Sequence, residues 1–384
     1  MDDLTSLRAE IDAIDKELTA LFLRRMDVTG RVGEYKRRSG IPVLDASREQ
    51  EVLKAKAALV DDPTRKTDVT ALFESIMGIS RRQQRHLVHE AAEGGYARLK
   101  DAAAHARDPL ESPRVIYQGV PGAYTEEAAV GFFGEGCGRR AVEQWEDLFL
   151  ALKEGRADYG VVPIENSSTG AISQVYDLLA KYGAYIVGEQ KVKVEHCLMA
   201  PKGARLHGIQ EVYSHEQGLR QCALYLKEHS GWKTYARRNT AEAAQFVAES
   251  GDKTRAAIGS RRAAKLYGLD ILAEHIAVSE QNFTRFVVIS PVMELREGRD
   301  KISALFVLPH RSGSLHEIMS IFAVNGLNMM KLESRPILDK SWEYLFFVDF
   351  TGDLTAPGMD GVLLELNQTA EDFRVLGNYR AADV

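Results

Sequence analysis

The first feature that could do chemistry is an arginine where a helical seam calls for an apolar side chain. Leu4, Leu7, Ile11, Ile14, Leu18 and Leu21 recur at alternating spacings of three and four, and the register continues through Val28, Val32 and Tyr35. That is a heptad seam, and Arg25 occupies the seam position between Leu21 and Val28. A buried guanidinium is costly without an anion, so the position implies a bound anion or an internal carboxylate. Lys36 follows eleven residues later, roughly 16 Å along the same helix, and Arg8 precedes by seventeen residues, roughly 25 Å away. One straight helix cannot gather all three around a small ligand, but an antiparallel second copy of the chain could supply Arg8. Asp45, Arg48 and Glu49 share a face at the start of a second helix, and Ser80 and Gln84 share a face of a third. Taken singly, Arg8 or Lys36 reads as a solvated surface charge. The joint set suits a compact dianion.

Further on, the strings YQGVPGAYTEEAA, VVPIENSSTGAI and QNFTRFVV stand out. Gly119, Gly122, Tyr124 and Thr125 make a strand–turn–helix junction whose backbone donors suit a carboxylate. The spacing is GxxG, and GEGCGRR also departs from GxGxxG, so no dinucleotide site is expected. Glu165 and Asn166 end a strand and lead into SSTG, a loop rich in donors. Near the C-terminus, RSGSLHEI marks a strand–helix junction where Gly313 allows close backbone approach, and KLESRPI lies on the next strand. That region has no paired acid and base, no metal cluster and no nucleophile setting.

These groups must be positioned by three kinds of segment. Residues 1–90 read as all helix: one helix of roughly 35 residues and about 50 Å, a second capped by Asp45 or Ser47, and a third started by Asp62-Pro63. A helix that long cannot be covered by 90 residues, so a homodimer or higher homo-oligomer is expected. Residues 91–112, rich in Ala, Gly and charge, read as a linker. Residues 113–292 alternate short β-type runs with helical ones, an α/β pattern, and 293–300 form a second linker. Residues 301–384 follow the order βαββαβ, an α+β ferredoxin-like pattern.

The length of 384 residues also points to two or three domains. A net charge of -6 gives no reason to expect nucleic acid or an anionic membrane as partner. No apolar run of membrane-spanning length occurs, and the acidic, amphipathic N-terminus is unlike a secretory signal. Cys137, Cys197 and Cys222 form no metal spacing and suit reduced thiols, so a cytoplasmic protein without metal or cofactor is expected.

On these residues the chain resembles known families. LRAEIDAIDKELTALFLRRMDVTGRVGEYK with VLDASRE and SRRQQ resembles the helical chorismate mutases over residues 4–88. The resemblance implies an interlocked dimer in which Arg8, Arg25 and Arg48 bind substrate carboxylates and Lys36 and Gln84 face the ether oxygen. Asp45, Glu49 and Ser80 would contact the hydroxyl side or orient the basic groups. VVPIEN and NFTRF resemble the prephenate dehydratases, across about residues 113–292. That resemblance implies two lobes of periplasmic-binding type, joined near Lys193 and Ala277. Thr284 would sit at the leaving hydroxyl with Arg285 and Phe286 beside it, and Asn166, Ser167, Ser168, Thr169, Ser214, His215, Gln217 and Gln221 would line the cleft. The tail resembles the amino-acid-binding ACT domains, which implies phenylalanine held by Gly313, Ser314, Leu315, Glu333, Ser334 and Arg335. Gly-Ser-Leu stands where many of those domains have Gly-Ala-Leu. The expectation is a bifunctional enzyme acting on chorismate and prephenate under phenylalanine feedback. The alternative is a dehydratase alone, with the helical segment a degenerate dimerisation arm.

Overall fold

The structure, a computed structural model, describes residues 3–88, 94–279, 281–337 and 343–382. A helical stretch comes first: α1 (Leu4–Ser39), α2 (Ala46–Ala57), α3 (Pro63–Val88) and α4 (Gly94–Ala104). The α/β stretch runs β1 (Arg114–Gln118), α5 (Tyr124–Phe133), β2 (Gly138–Val142), α6 (Trp145–Lys153), β3 (Tyr159–Asn166), β4 (Gly170–Ala171), α7 (Ser173–Tyr182) and β5 (Tyr185–Lys193). It continues through β6 (Cys197–Ala200), β7 (Glu211–His215), α8 (Glu216–Gln221), α9 (Ala223–Glu228), β8 (Lys233–Arg237) and α10 (Thr240–Ser250). Then come β9 (Arg255–Gly259), α11 (Arg261–Tyr267), β10 (Asp270–Ala273) and β11 (Phe283–Ser290). The tail comprises β12 (Lys301–Val307), α12 (Ser314–Val324), β13 (Met329–Pro336), β14 (Tyr344–Thr351), α13 (Met359–Thr369) and β15 (Asp372–Tyr379).

The chain forms two compact units. One holds Met1–Ala97, Leu308–Asn325 and Asp360–Asp372, and the other holds Arg98–Val307, Gly326–Met359 and Phe373–Val384. In the first, Asp3 caps α1 by accepting from the Ser6 backbone N–H, and the helix ends on Gly40 in the left-handed region. Asp45, rather than Ser47, caps α2. α3 lies against α1, with Met26 and Met77 buried. Gly33 lets the helices close up, since a Cβ there would sit 3.1 Å from the Gln84 side chain. The apolar seam is not covered: Leu4, Leu7, Ile11, Ile14, Leu18, Leu21, Val28, Val32 and Tyr35 are all exposed on the single chain. The start of the stretch read as a linker is helical, forming α4 over residues 94–104 with Tyr96 and Leu99 buried.

In the second unit, one sheet has the order β2-β1-β3-β11-β5 with β4 paired to β3, and another has the order β10-β6-β9-β7-β8. The chain leaves the first sheet after Lys193 and returns to it at Phe283. Two lobes joined by two crossings are the periplasmic-binding-like arrangement expected from the motifs. β11 runs antiparallel between β3 and β5, setting Thr284 opposite Asn166 on one side and Val192 on the other. A third sheet, β13-β14-β12-β15, is antiparallel through β13, β14 and β12. With the chain order βαββαβ this is the ferredoxin-like strand order. Leu305, Phe347, Leu376 and Tyr379 of that sheet share a core with Phe149, Tyr176 and Ile186 of the first lobe. Gly377 is required there, because a Cβ would run into the Ile186 backbone carbonyl. Among the described residues no helix is long and apolar enough to cross a membrane, and no group of ligating side chains could hold a metal ion.

Candidate active sites

The helical unit brings Arg25, Ser80 and Gln84 together. Arg25 donates to Ser80 Oγ at 2.6 Å, and Ser80 donates back to the Ile76 carbonyl of its own helix at 2.8 Å. Burial holds the Arg25 guanidinium below its ordinary pKa. Its partner on this chain is a neutral hydroxyl, so a ligand anion would be its first full counter-charge. Gln84 is buried, and its Oε1 has no hydrogen-bond partner among the described residues. A buried amide oxygen without a partner costs free energy that a ligand could recover. Lys36 donates to the Val43 carbonyl, which fixes the chain between α1 and α2. Asp45 is occupied as a cap, Arg48 is exposed and pairs with Glu51 at 3.0 Å, and Glu49 pairs with Arg81. Arg8 is exposed near the far end of α1.

In the α/β unit the cleft residues converge on Asn166. Its Nδ2 donates to Thr284 Oγ1 at 2.9 Å and to Asn282 Oδ1 at 2.9 Å. Its Oδ1 accepts from the Ser168 hydroxyl at 2.6 Å and from the Ser168 and Thr169 backbone N–H groups at 3.0 and 3.2 Å. From the second lobe, Gln217 donates to Thr169 Oγ1 at 3.2 Å and Gln221 to Ser168 Oγ at 3.1 Å. Ser167 is tied to the return crossing, donating to the Gln281 carbonyl and accepting from the Phe283 N–H. His215 caps α8, its Nδ1 accepting from the Gln217 N–H, and burial lowers its pKa, which suits the neutral ring a cap requires. Ser214 is fully buried and donates to the Ile258 carbonyl.

Several expected site residues lie elsewhere. Arg285 follows Thr284 on β11, but its side chain contacts Asp349 at 2.7 Å, Glu189 at 3.2 Å and Glu165 at 3.2 Å. Neighbours on a strand face opposite ways, so a cleft-facing Thr284 turns Arg285 to the far side of the sheet. Phe286 is buried in the core with Tyr117, Tyr159 and Val161. The Gly122 N–H, expected to be free for a ligand, is taken at 2.7 Å by Glu126, whose carboxylate also binds Arg139 at 2.7 Å. In the tail, Gly313 has φ +86° and precedes α12 as expected, but the Ser314 hydroxyl turns back onto the Pro309 and Arg311 carbonyls. Arg335 makes a paired contact with Asp177 of α7 at 3.2 and 2.9 Å and is half-buried. Leu315 and Ser334 are exposed and Glu333 is half-buried.

Sequence reasoning missed His196. The ring is buried at the first crossing, with Nε2 2.9 Å from Gln221 Oε1 and Nδ1 3.3 Å from the Tyr124 hydroxyl. A lone histidine before a strand carries no periodic signal that could have found it.

A helical unit with a half-buried arginine and a two-lobed α/β domain with a hydroxyl at its cleft define a two-site enzyme architecture. The family model for chorismate mutase type II matches residues 7–85, and that for prephenate dehydratase matches residues 115–294. The bifunctional chorismate mutase/prephenate dehydratase of Escherichia coli strain K12 is 33% identical, covering 99% of this chain and 97% of its own. Among solved structures, an Arthrobacter aurescens prephenate dehydratase in complex with L-Phe is 30% identical with TM-score 0.65, covering 70% of this chain and 90% of that one. GqqA, described as a quorum quenching acylase, is also 30% identical, with TM-score 0.64 and coverage of 70% and 98%. The chain belongs to the bifunctional chorismate mutase/prephenate dehydratases.

Proposed function

We propose that the helical unit rearranges chorismate to prephenate, that the α/β cleft converts prephenate to phenylpyruvate, and that the βαββαβ tail confers feedback by phenylalanine. The observation that carries the first two assignments is the match to bifunctional relatives along the whole chain rather than to one half of it.

The mutase step needs no nucleophile. Chorismate rearranges through a concerted shift in which negative charge grows on the ether oxygen. Arg25 and a second arginine hold the carboxylates in reactive geometry, and Lys36 and Gln84 stabilise the developing charge. A million-fold acceleration takes about 8 kcal/mol off the barrier. A few charge-assisted hydrogen bonds, at roughly 1.5–3 kcal/mol each, are of that order. Asp45, Glu49 and Ser80 orient these groups rather than react.

The exposed seam of α1 supports an interlocked dimer in which Arg8 reaches the partner's Arg25. Arg8→Ala and Arg25→Leu should each remove mutase activity and spare the dehydratase. Co-refolding the two variants should restore roughly a quarter of wild-type mutase activity, because half of random dimers are mixed and each holds one intact site. No recovery on mixing would place Arg8 outside the partner's site.

In the cleft, the electron pair of the ring carboxylate's C–C bond moves into the ring as carbon dioxide leaves. The ring hydroxyl departs with its own electron pair and takes a proton to become water. Thr284 supplies that proton or relays it from solvent, and Asn166, Ser168 and Thr169 hold Thr284 in place. Gln217 and Gln221 close the cleft from the second lobe.

For the tail, Leu315 and Ser334 are each exposed, and Arg335 pairs with Asp177. Purified protein given chorismate alone should release phenylpyruvate, and added phenylalanine should suppress it. Consumption of prephenate but not of chorismate would instead make the helical unit a dimerisation arm.

A further inference from the structure

Thr284 stands at the end of a hydrogen-bonded chain whose direction can be read from the chemistry of each member. Asn166 Nδ2 can only donate, so Thr284 Oγ1 accepts at 2.9 Å. The amide cannot be turned over, because its Oδ1 faces the backbone N–H groups of Ser168 and Thr169. Ser168 Oγ lies 2.6 Å from that same oxygen, which bears no proton, so Ser168 donates. Having donated, Ser168 accepts from Gln221 Nε2 at 3.1 Å. Gln221 Oε1 then faces His196 Nε2 at 2.9 Å, which places a proton on that nitrogen.

The other end of the chain fits the same direction. His196 is 2% exposed, and burial lowers its pKa, favouring the neutral ring. A neutral ring protonated at Nε2 has a bare Nδ1, and the Tyr124 hydroxyl lies 3.3 Å from it while also donating to the Glu195 carbonyl at 2.9 Å. The single Tyr124 proton goes to the Glu195 carbonyl, so the ordered donors begin at His196 Nε2 and from there point toward Thr284. Thr284's own proton has no acceptor among the described residues, and it is left over for a ligand in the cleft.

We propose that His196 is a positioning residue of the dehydratase: its Nε2–H holds Gln221, and through it Ser168, in the arrangement that steadies Asn166 against Thr284 and leaves the Thr284 proton for the substrate's leaving hydroxyl. The proposal rests on the dehydratase reading above. With the opposite tautomer, Gln221 would turn over and draw the Ser168 proton to its own oxygen. Asn166 Oδ1 would lose its shortest bond and keep only the Ser168 and Thr169 backbone donors and the more distant Thr169 hydroxyl, so Asn166 would be held less firmly against Thr284.

The test compares His196→Leu with His196→Gln in the full-length chain, following prephenate turnover and, as a folding control, chorismate turnover. Glutamine places an N–H near the position of imidazole Nε2, and leucine does not. His196→Leu should lower dehydratase kcat by about 20-fold with KM within about twofold, and His196→Gln should stay within about threefold of wild type. Chorismate turnover should be unchanged in both. Full kcat in the leucine variant, or equal losses in the two, overturns the proposal. If the leucine chain also loses chorismate turnover, His196→Gln decides: a dehydratase kcat more than about tenfold below wild type in that variant, with chorismate turnover intact, overturns the proposal. A wild-type chain that leaves prephenate intact would overturn the dehydratase reading itself, before any variant is compared.

Discussion

Thr284→Val should reduce prephenate dehydration by a factor of roughly 100–10,000, the range spanned by loss of a positioned proton donor, while chorismate turnover stays at the wild-type rate. Valine fills nearly the same volume as threonine and is equally at home on β11, so the strand should keep its register against Asn166 and Val192. What disappears is the hydroxyl that accepts from Asn166 and offers its own proton to the cleft. Thr284→Ser retains that hydroxyl with one more rotamer available, and it should remain within roughly tenfold of wild type. The loss should fall on kcat more than on KM, because the donor acts on charge that develops as the hydroxyl leaves. Valine activity close to that of serine would take the proton-donor role away from Thr284.

How far the sequence revealed this arrangement depends on which physical signal each residue leaves. Arg25 was legible because a charged residue in an apolar heptad breaks a periodicity, and its contact with Ser80 joins two residues read as one site. The uncovered seam was legible for the same reason. Thr284 and Asn166 came from motif resemblance, and the register then sets them opposite one another across β3 and β11. The facing of Arg285 and Phe286 was not legible. A short motif gives order along the strand but not which face meets solvent, and β11 carries a register shift between those two residues. The pairing of Arg335 with Asp177 was not legible, because the two lie 158 residues apart and no local pattern reports a contact that distant. Ser314 was read as a ligand contact, but a serine at a helix start readily turns its hydroxyl onto nearby backbone carbonyls.

The misplacement of Arg285 leads to the largest stability effect expected in this chain. On the far side of β11, Arg285, Lys301 and Lys331 interleave with Glu165, Glu189 and Asp349, an evenly balanced ionic cluster. The Glu189 side chain is 0% exposed and that of Lys301 is 4% exposed. Lys301 Nζ binds both Glu189 oxygens, at 2.8 and 2.9 Å. Burial opposes the charge on Arg285, but Asp349 and Glu189 outweigh it and hold its pKa above the ordinary value. Glu189→Gln removes the carboxylate that Lys301 holds and leaves a buried ammonium without its counter-ion. Breaking a buried pair from one side costs about 3–5 kcal/mol, so the denaturant midpoint of the α/β unit should fall markedly. Lys301→Met should cost less, because Glu189 keeps Arg285 and the Ala382 N–H as partners. The double variant should recover part of the Glu189→Gln loss, since it removes the stranded cation along with its partner. Strictly additive losses in that cycle would mean that water already solvates the ammonium and that the pair is not buried in solution. With Glu165, Glu189 and Arg285 all drawn from the strands that flank or carry Thr284, the cluster also explains why a strand that opens on Thr284 tolerates so much charge behind it. Each charge is matched across β3, β5, β11 and the third sheet, while the side chains bonded to Asn166 on the other face are all neutral.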